Sequence, residues 1–160
     1  MTTHDARAAV LLLDDDSMVT SALEGLLLDE TDFEVLAFND PAAALATAAT
    51  REVDAVVSDF LMPGMDGLAV LHRIREIRPF AARILLTGYA DKRNAIRSIN
   101  EVGLYHYLEK PWDNDQLLLV VRNAVERTRL LRRTDEVVRQ LAERDRSLND
   151  LRSRLLKAIL

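Results

Sequence analysis

The sequence predicts an α/β domain, an open sheet of five parallel strands with helices on both faces. Three observations support this fold class. Several short apolar runs lack helical periodicity, which is typical of strands buried on both faces. Segments with helical spacing separate these runs. A chain of 160 residues is also long enough for one such domain and an appendage.

The apolar runs and the segments between them give the predicted elements in chain order. Helices are expected over residues 17–29, 41–51, 67–77 and 91–102, and the second of them begins with Pro41 after Asp40, a favourable cap. The five strands are predicted at AAVLLL before Asp14, FEVLAF around Val35, VDAVV before Ser58, ARILL before Thr87 and YHYL before Glu109.

The last predicted helix is much longer than the others. Asp113 is its expected N-cap, and Gln116 three residues later completes a capping-box pattern. No Pro or Gly follows Pro111. Residues ~114 to ~158 are therefore predicted to form one helix, ~65 Å long at ~1.5 Å per residue.

An apolar stripe with heptad spacing runs along this helix and predicts an intermolecular coiled coil. Seven of the nine stripe positions are apolar, and so long a stripe needs a partner surface. The alternatives are a helix folded back on its own domain and a frayed tail. The stripe positions are Leu130, Thr134, Val137, Leu141, Arg144, Leu148, Leu151, Leu155 and Ala158.

Composition and charge narrow the classes of function. The chain has no cysteine, which excludes disulfides and thiolate metal sites. No apolar run approaches the ~18 residues of a membrane span, and the N-terminus does not read as a signal peptide, so a cytoplasmic location is expected. The net charge is −5, but residues 127–160 carry ten Lys and Arg against five Asp and Glu, a balance of +5 that leaves −10 on the rest. An acidic body with a basic tail suggests two parts with different roles.

Polar residues follow four of the five predicted strands, directly where the strand ends. Because the carboxyl ends of parallel strands meet at one edge of a sheet, these groups are expected to converge there. Oxygen ligands without His or Cys favour Mg²⁺, which keeps water and phosphate oxygens as further ligands. A Lys and a Thr hydroxyl beside the ion complete a set that binds a phosphoryl group. The groups are Asp14, Asp15 and Asp16, Asp59, Thr87 with Gly88, and Glu109 with Lys110 and Pro111.

Four of these motifs, in this order, resemble the receiver domain of a two-component response regulator over residues 8–126. They are LLLDDDS, DFLMPGMDG, LLTG and YLEKP. The resemblance implies a flavodoxin-like, doubly wound sheet with strand order 2-1-3-4-5. The chain would comprise a receiver at residues 1–126 and a C-terminal helix at 127–160, which serves coiled-coil dimerisation or links to an output domain.

The resemblance also implies the roles of the site residues. Asp59 would be the phosphoryl acceptor, and Thr87 and Lys110 would hold the phosphoryl oxygens. Mg²⁺ would bind to Asp15, Asp59 and the backbone carbonyl of Leu61, with Asp14 close by through water. Asp14, Asp15 and Asp16 could alternatively cap the following helix, since acids favour helix N-termini.

Further residues are assigned by their place relative to these motifs. Tyr107, three residues before Lys110, matches the aromatic residue that swings inward on activation, although an ordinary sheet-edge aromatic is the alternative. Leu61 and Tyr89 lie two residues after Asp59 and Thr87, where family members control the access of water. An apolar and a bulky aromatic residue there predict a slowly hydrolysing phosphoryl group.

The expected function is therefore a signalling switch and not an enzyme, beyond self-catalysed phosphotransfer and slow autodephosphorylation. Its expected partners are a sensor histidine kinase or phosphotransfer protein and a second copy of the chain. Nucleic-acid binding by the basic tail is disfavoured because its charges are mixed, and no membrane contact is expected. The alternatives are a constitutive dimerisation module whose receiver does not switch, and a fragment of a regulator whose output is a cyclic-dinucleotide phosphodiesterase or a transcription regulator.

Overall fold

The computed structural model describes residues 6–88, 93, 96 and 101–160, and all structural statements concern these residues. We number the elements in chain order among them. The strands are β1 (Ala9–Leu13), β2 (Glu34–Phe38), β3 (Ala55–Asp59), β4 (Ala82–Thr87) and β5 (His106–Glu109). The helices are α1 (Ser17–Glu30), α2 (Pro41–Thr50), α3 (Gly67–Ile77), α4 (Asn114–Ala142) and α5 (Arg146–Ile159). The helix predicted over 91–102 falls largely outside the described residues.

The five strands form one parallel sheet in the order β2-β1-β3-β4-β5, which confirms the predicted fold class. Every residue of β1, β3 and β4 is buried, because both faces of the sheet are covered. One face packs against α1 and α4 through a cluster that includes Leu23 and Val121. The other face packs against α2 and α3 through a cluster that includes Leu45 and Leu71.

Capping residues set where the helices begin. Asp40 accepts a hydrogen bond from the amide of Ala43 at the start of α2, and Asp113 accepts one from the amide of Gln116 at the start of α4, as the sequence predicts. Asp16 caps α1 by accepting from the amide of Met18. The helix-capping alternative thus holds for Asp16, whereas Asp14 and Asp15 lie at the end of β1, where Asp14 accepts from the amide of Asp16.

The prediction of one continuous helix to residue 158 is wrong. Helix α4 ends at Ala142, and α5 begins at Arg146 and folds back on α4. The side chain of Asp145 caps α5 by accepting from the amide of Ser147, so a cap interrupts the helix without Pro or Gly. Helix α4 and Phe80 supply an apolar surface for α5 within the same chain. The apolar residues of α5 therefore do not require a partner helix from another molecule.

Candidate functional site

The carboxyl ends of the strands bring three acidic residues together. Carboxylate oxygens of Asp14, Asp15 and Asp59 lie within 4.8 Å of one another. Asp14 directly follows β1 and Asp59 is the last residue of β3, while β1 and β3 are neighbours in the sheet. Asp14 and Asp59 are buried and Asp15 is exposed, so the cluster is open to solvent at Asp15.

Lys110 partly neutralises this cluster. Its Nζ donates to Oδ2 of Asp14 at 2.7 Å and lies 3.0 Å from Oδ1 of Asp59. Burial alone would lower the pKa of Lys110, but the hydrogen bonds to Asp14 and Asp59 outweigh it and raise the pKa. The lysine is therefore a fixed positive charge between the two buried acids.

The negative charge of the Asp59 carboxylate is only partly compensated by its surroundings. Burial raises the pKa of its carboxyl group above the usual value, the hydrogen bond from Lys110 opposes this, and repulsion from Asp14 adds to it. Oδ1 of Asp59 also accepts from the amide of Phe60 at 2.9 Å. A cation that reaches the cluster would relieve the repulsion between the acids, and their oxygen-only donor set fits Mg²⁺.

Thr87 ends β4 next to Lys110, whose amide donates to the Thr87 carbonyl at 2.8 Å. The Thr87 side chain is fully buried, and its hydroxyl has no hydrogen-bond partner among the described residues. A buried hydroxyl without a partner is costly, so it is available to a group that enters the site.

The structure gives the positions of Tyr107 and Leu61, but it does not show the roles that the sequence predicts for them. Tyr107 lies in β5 and is half-buried against the α2 and α3 face of the sheet. The side chain of Leu61 is 58% exposed in the loop after Asp59. Tyr89 lies outside the described residues. The metal-ligand role of the Leu61 carbonyl and the switching role of Tyr107 stay predictions.

Two supporting residues were missed by the sequence reasoning. Asn39 donates to the Asp14 carbonyl at 2.8 Å and to the Thr20 hydroxyl at 3.0 Å, which fixes the end of β1. Its position just after β2 was a usable signal, because the other site residues also follow strands. Gly67 begins α3, and a Cβ there would lie 1.9 Å from the carbonyl oxygen of Asp59. Only glycine allows α3 to start this close to the acceptor.

The fold and the site together define a class of protein: a doubly wound α/β domain with an acidic cation site, a lysine and a buried threonine around one acceptor carboxylate. The chain belongs to the response regulator receiver domain family, whose model matches residues 10–122. Among the described residues, no helix is long and apolar enough to cross a membrane.

Individual relatives agree with this assignment. The hydrogenase transcriptional regulatory protein HoxA of Cupriavidus necator is 38% identical over 122 residues, which are 76% of this chain and 25% of that protein. The C4-dicarboxylate transport transcriptional regulatory protein DctD of Pseudomonas aeruginosa is 37% identical over 95% of this chain and 32% of its own length. The chain thus spans about a quarter to a third of the length of these two relatives.

A solved structure extends the similarity to three dimensions. The signal receiver domain of an HD domain-containing protein from Pseudomonas fluorescens Pf-5 is 39% identical, with a TM-score of 0.72. The match covers 78% of this chain and 98% of that structure. The chain is therefore a receiver domain with additional residues, and receiver domains of this family are phosphoacceptors.

Proposed function

We propose that Asp59 accepts a phosphoryl group from a histidine kinase or a phosphotransfer protein. The observation that carries this proposal is the position of Asp59: a buried carboxylate with a raised pKa, 3.0 Å from Lys110 and beside two further acids. A strand end is a costly place for such a group unless a ligand compensates it. The family assignment of residues 10–122 supports the same role.

In the proposed transfer, a carboxylate oxygen of Asp59 attacks phosphorus, and the bond from phosphorus to the donor imidazole nitrogen breaks. The nitrogen keeps the electron pair, and Asp59 becomes an acyl phosphate. A bound Mg²⁺, held by Asp15, Asp59, the Leu61 carbonyl and, through water, Asp14, would neutralise charge on the transferred group. Lys110 is placed to pair with a phosphoryl oxygen because its Nζ already contacts Asp59.

The added charge of about −1.5 to −2 would then act as the switch. We infer that the Thr87 hydroxyl, which has no partner among the described residues, donates to a phosphoryl oxygen. Tyr107, in the neighbouring strand β5, would then move inward as well. The outward and inward arrangements of these side chains are in equilibrium, and phosphorylation shifts that equilibrium toward the inward one. The exposed Leu61 side chain and Tyr89 would slow the attack of water on the acyl phosphate.

The remaining assignments form part of the same proposal. Residues 1–126 act as the receiver and residues 127–160 as a tail that forms a homodimer. The chain performs no chemistry beyond its own phosphorylation and slow dephosphorylation. It acts in the cytoplasm, where phosphorylated kinases and Mg²⁺ are available, and it does not depend on nucleic acid.

The test is phosphorylation by acetyl phosphate with Mg²⁺, followed by intact mass spectrometry. We expect one phosphoryl group on the wild type, none on Asp59→Asn, and none when a chelator removes Mg²⁺. Asp16→Asn is the matched control, because Asp16 adjoins the acidic pair but caps α1, a role in which Asn is equally good. An unmodified wild type, or equal labelling of Asp59→Asn, would contradict the proposal. A phosphoryl half-life of seconds would contradict the role of Leu61 and Tyr89.

A further inference from the structure

The turn between α4 and α5 contains no residue that prevents a helix. Glu143 keeps helical angles (φ −62°, ψ −22°), and its amide still donates to the carbonyl of Arg139. Asp145 is extended (φ −149°, ψ 119°) and caps α5. Since the chain has no Pro or Gly after Pro111, a few backbone rotations at residues 143–145 would join the two helices.

Helix α5 contacts α4 through an ion pair to a buried aspartate and through a small apolar contact. Nε of Arg152 donates to Oδ1 of Asp135 at 2.7 Å, and Asp135 is buried in α4. Leu131 and Val138 of α4 face Leu156 of α5 in the apolar part. No residue of α5 whose side chain is described is fully buried, so the contact with α4 buries little of the surface of α5.

The carbonyl end of α5 also contacts the receiver. Arg75 of α3 donates to the carbonyl of Leu160 at 2.9 Å and to that of Glu101 at 3.2 Å. Arg127 of α4 donates to the carbonyl of Ile159 at 3.4 Å. Cations are favourable at the negative end of a helix dipole, so these arginines help to keep α5 closed.

The folded-back α5 leaves part of the predicted stripe exposed. Leu130, Val137 and Leu141 of α4 and Leu151 of α5 are 52%, 54%, 48% and 47% exposed. Their heptad spacing continues in register across the turn. In the hairpin, Thr134 and Leu155 of the stripe line the contact between α4 and α5, whereas these four stay about half exposed. A hairpin alone gives no reason for that register, whereas a straight helix would align all four on one face.

We propose that residues 130–158 are an interaction surface for a second copy of this chain, and that the folded-back α5 keeps the two halves of this surface apart in this structure. Straightening at residues 143–145 would complete the stripe, which then packs against the same stripe of another copy. The second copy is the occupant that fits, because a stripe of a little over four heptads matches an equal stripe in length and register. The inference deepens the homodimer of the proposed function, but it does not depend on phosphorylation.

The absence of cysteine allows a direct test by spin labels at Glu126→Cys and Lys157→Cys, both exposed positions. In the hairpin, Arg127 contacts Ile159 and Asp135 contacts Arg152, so residues 126 and 157 lie near each other. In a straight helix, a separation of 31 positions along the chain spans ~46 Å. The distance between the two labels is measured by double electron–electron resonance over a concentration series, with unlabelled protein in excess. The mass in solution is followed by light scattering, and no phosphoryl donor is present in either experiment.

Two neighbouring residues provide matched variants. Arg152→Ala removes the ion pair that closes the hairpin, and we expect the dimer dissociation constant to fall roughly tenfold. Leu151→Asp places a charge on the stripe but faces solvent in the hairpin, so we expect a monomer that keeps the short distance. Wild-type protein should change from the short to the ~46 Å distance as it dimerises.

Other outcomes would overturn the inference. A monomer at all concentrations, for both wild type and Arg152→Ala, would show that no second copy binds. A dimer that keeps only the short distance would show that α5 does not open. Asp59→Asn should behave like the wild type here, so failure of the phosphorylation proposal would leave this result unchanged.

Discussion

Two buried aspartates mark the two ends of strand β3, and their surroundings differ sharply. At its amino end, Asp54 accepts from the amide of Ala9 at 2.8 Å and from Arg132 at 2.6 Å. At its carboxyl end, Asp59 has Lys110 and one neighbouring amide, and it faces the acid Asp14. Asp54 belongs to a closed network, whereas Asp59 belongs to a site that a ligand could complete.

Two buried threonines show the same contrast. The hydroxyl of Thr128 donates to the carbonyl of Asp54 at 2.8 Å and accepts from the amide of Ala82 at 3.2 Å. The hydroxyl of Thr87 has no partner among the described residues. Polar groups at the amino end of the sheet thus stabilise the fold by their internal bonds. Those at the carboxyl end are only partly satisfied within the protein, which lowers stability but leaves them able to bind a ligand.

The largest expected difference lies between the two aspartates. Asp54→Asn should lower the free energy of unfolding by about 3 kcal/mol, because Arg132 loses a buried carboxylate partner. Asp59→Asn should cause no loss in the absence of Mg²⁺, because it removes the repulsion with Asp14 while Lys110 keeps Asp14. Urea unfolding of both variants at neutral pH measures the difference. Equal losses would contradict the distinction between the two ends.

A smaller difference is expected between the threonines. Thr128→Val should cost about 1–2 kcal/mol, because the amide of Ala82 and the carbonyl of Asp54 each lose one hydrogen bond but keep the bond to each other at 3.0 Å. Thr87→Val should leave stability unchanged or raise it, since it replaces a buried hydroxyl by a methyl group of similar size. The same urea experiment applies. The comparison fails if Thr87→Val is the more damaging of the two.

The smallest expected effect concerns pH. The pKa of the Asp59 carboxyl is raised in the folded state, so folding disfavours its ionised form. The stability that this group contributes is fully present below its unfolded pKa and is lost as pH rises through the folded pKa. The unfolding free energy of the wild type minus that of Asp59→Asn should therefore decrease with rising pH in acidic solution without Mg²⁺. An increase would show that Lys110 outweighs burial and Asp14.

Much of the site was predictable because strand ends can be read from the sequence. Asp14, Asp15, Asp59 and Lys110 each follow or end an apolar run, and parallel strands then bring them to one edge. The sequence offers no comparable rule for Asp54. It precedes β3 at the opposite edge, and its partner Arg132 lies 78 residues later in the chain.

The tail shows the limit of periodicity as a predictor. A heptad stripe states which residues share a face of a straight helix, but not whether the helix stays straight. The break at residues 143–145 depends on the Asp145 cap and on the ion pair between Asp135 and Arg152. Neither Asp135 nor Arg152 lies on the stripe, so the pattern that predicted a coiled coil could not show the contact that folds the tail back.

The hydrogen bond from the amide of Gly67 to the carbonyl of Phe60, at 2.7 Å, closes the loop beside Asp59 into a ring. Its two ends are therefore fixed independently of its tip, where Gly64 adopts a positive φ of 85°. The entropic cost of lengthening such a loop grows only slowly with the number of residues added. Protein engineers could thus graft a short reporter peptide at Gly64, next to the acceptor, while the ring keeps the carboxylate in position.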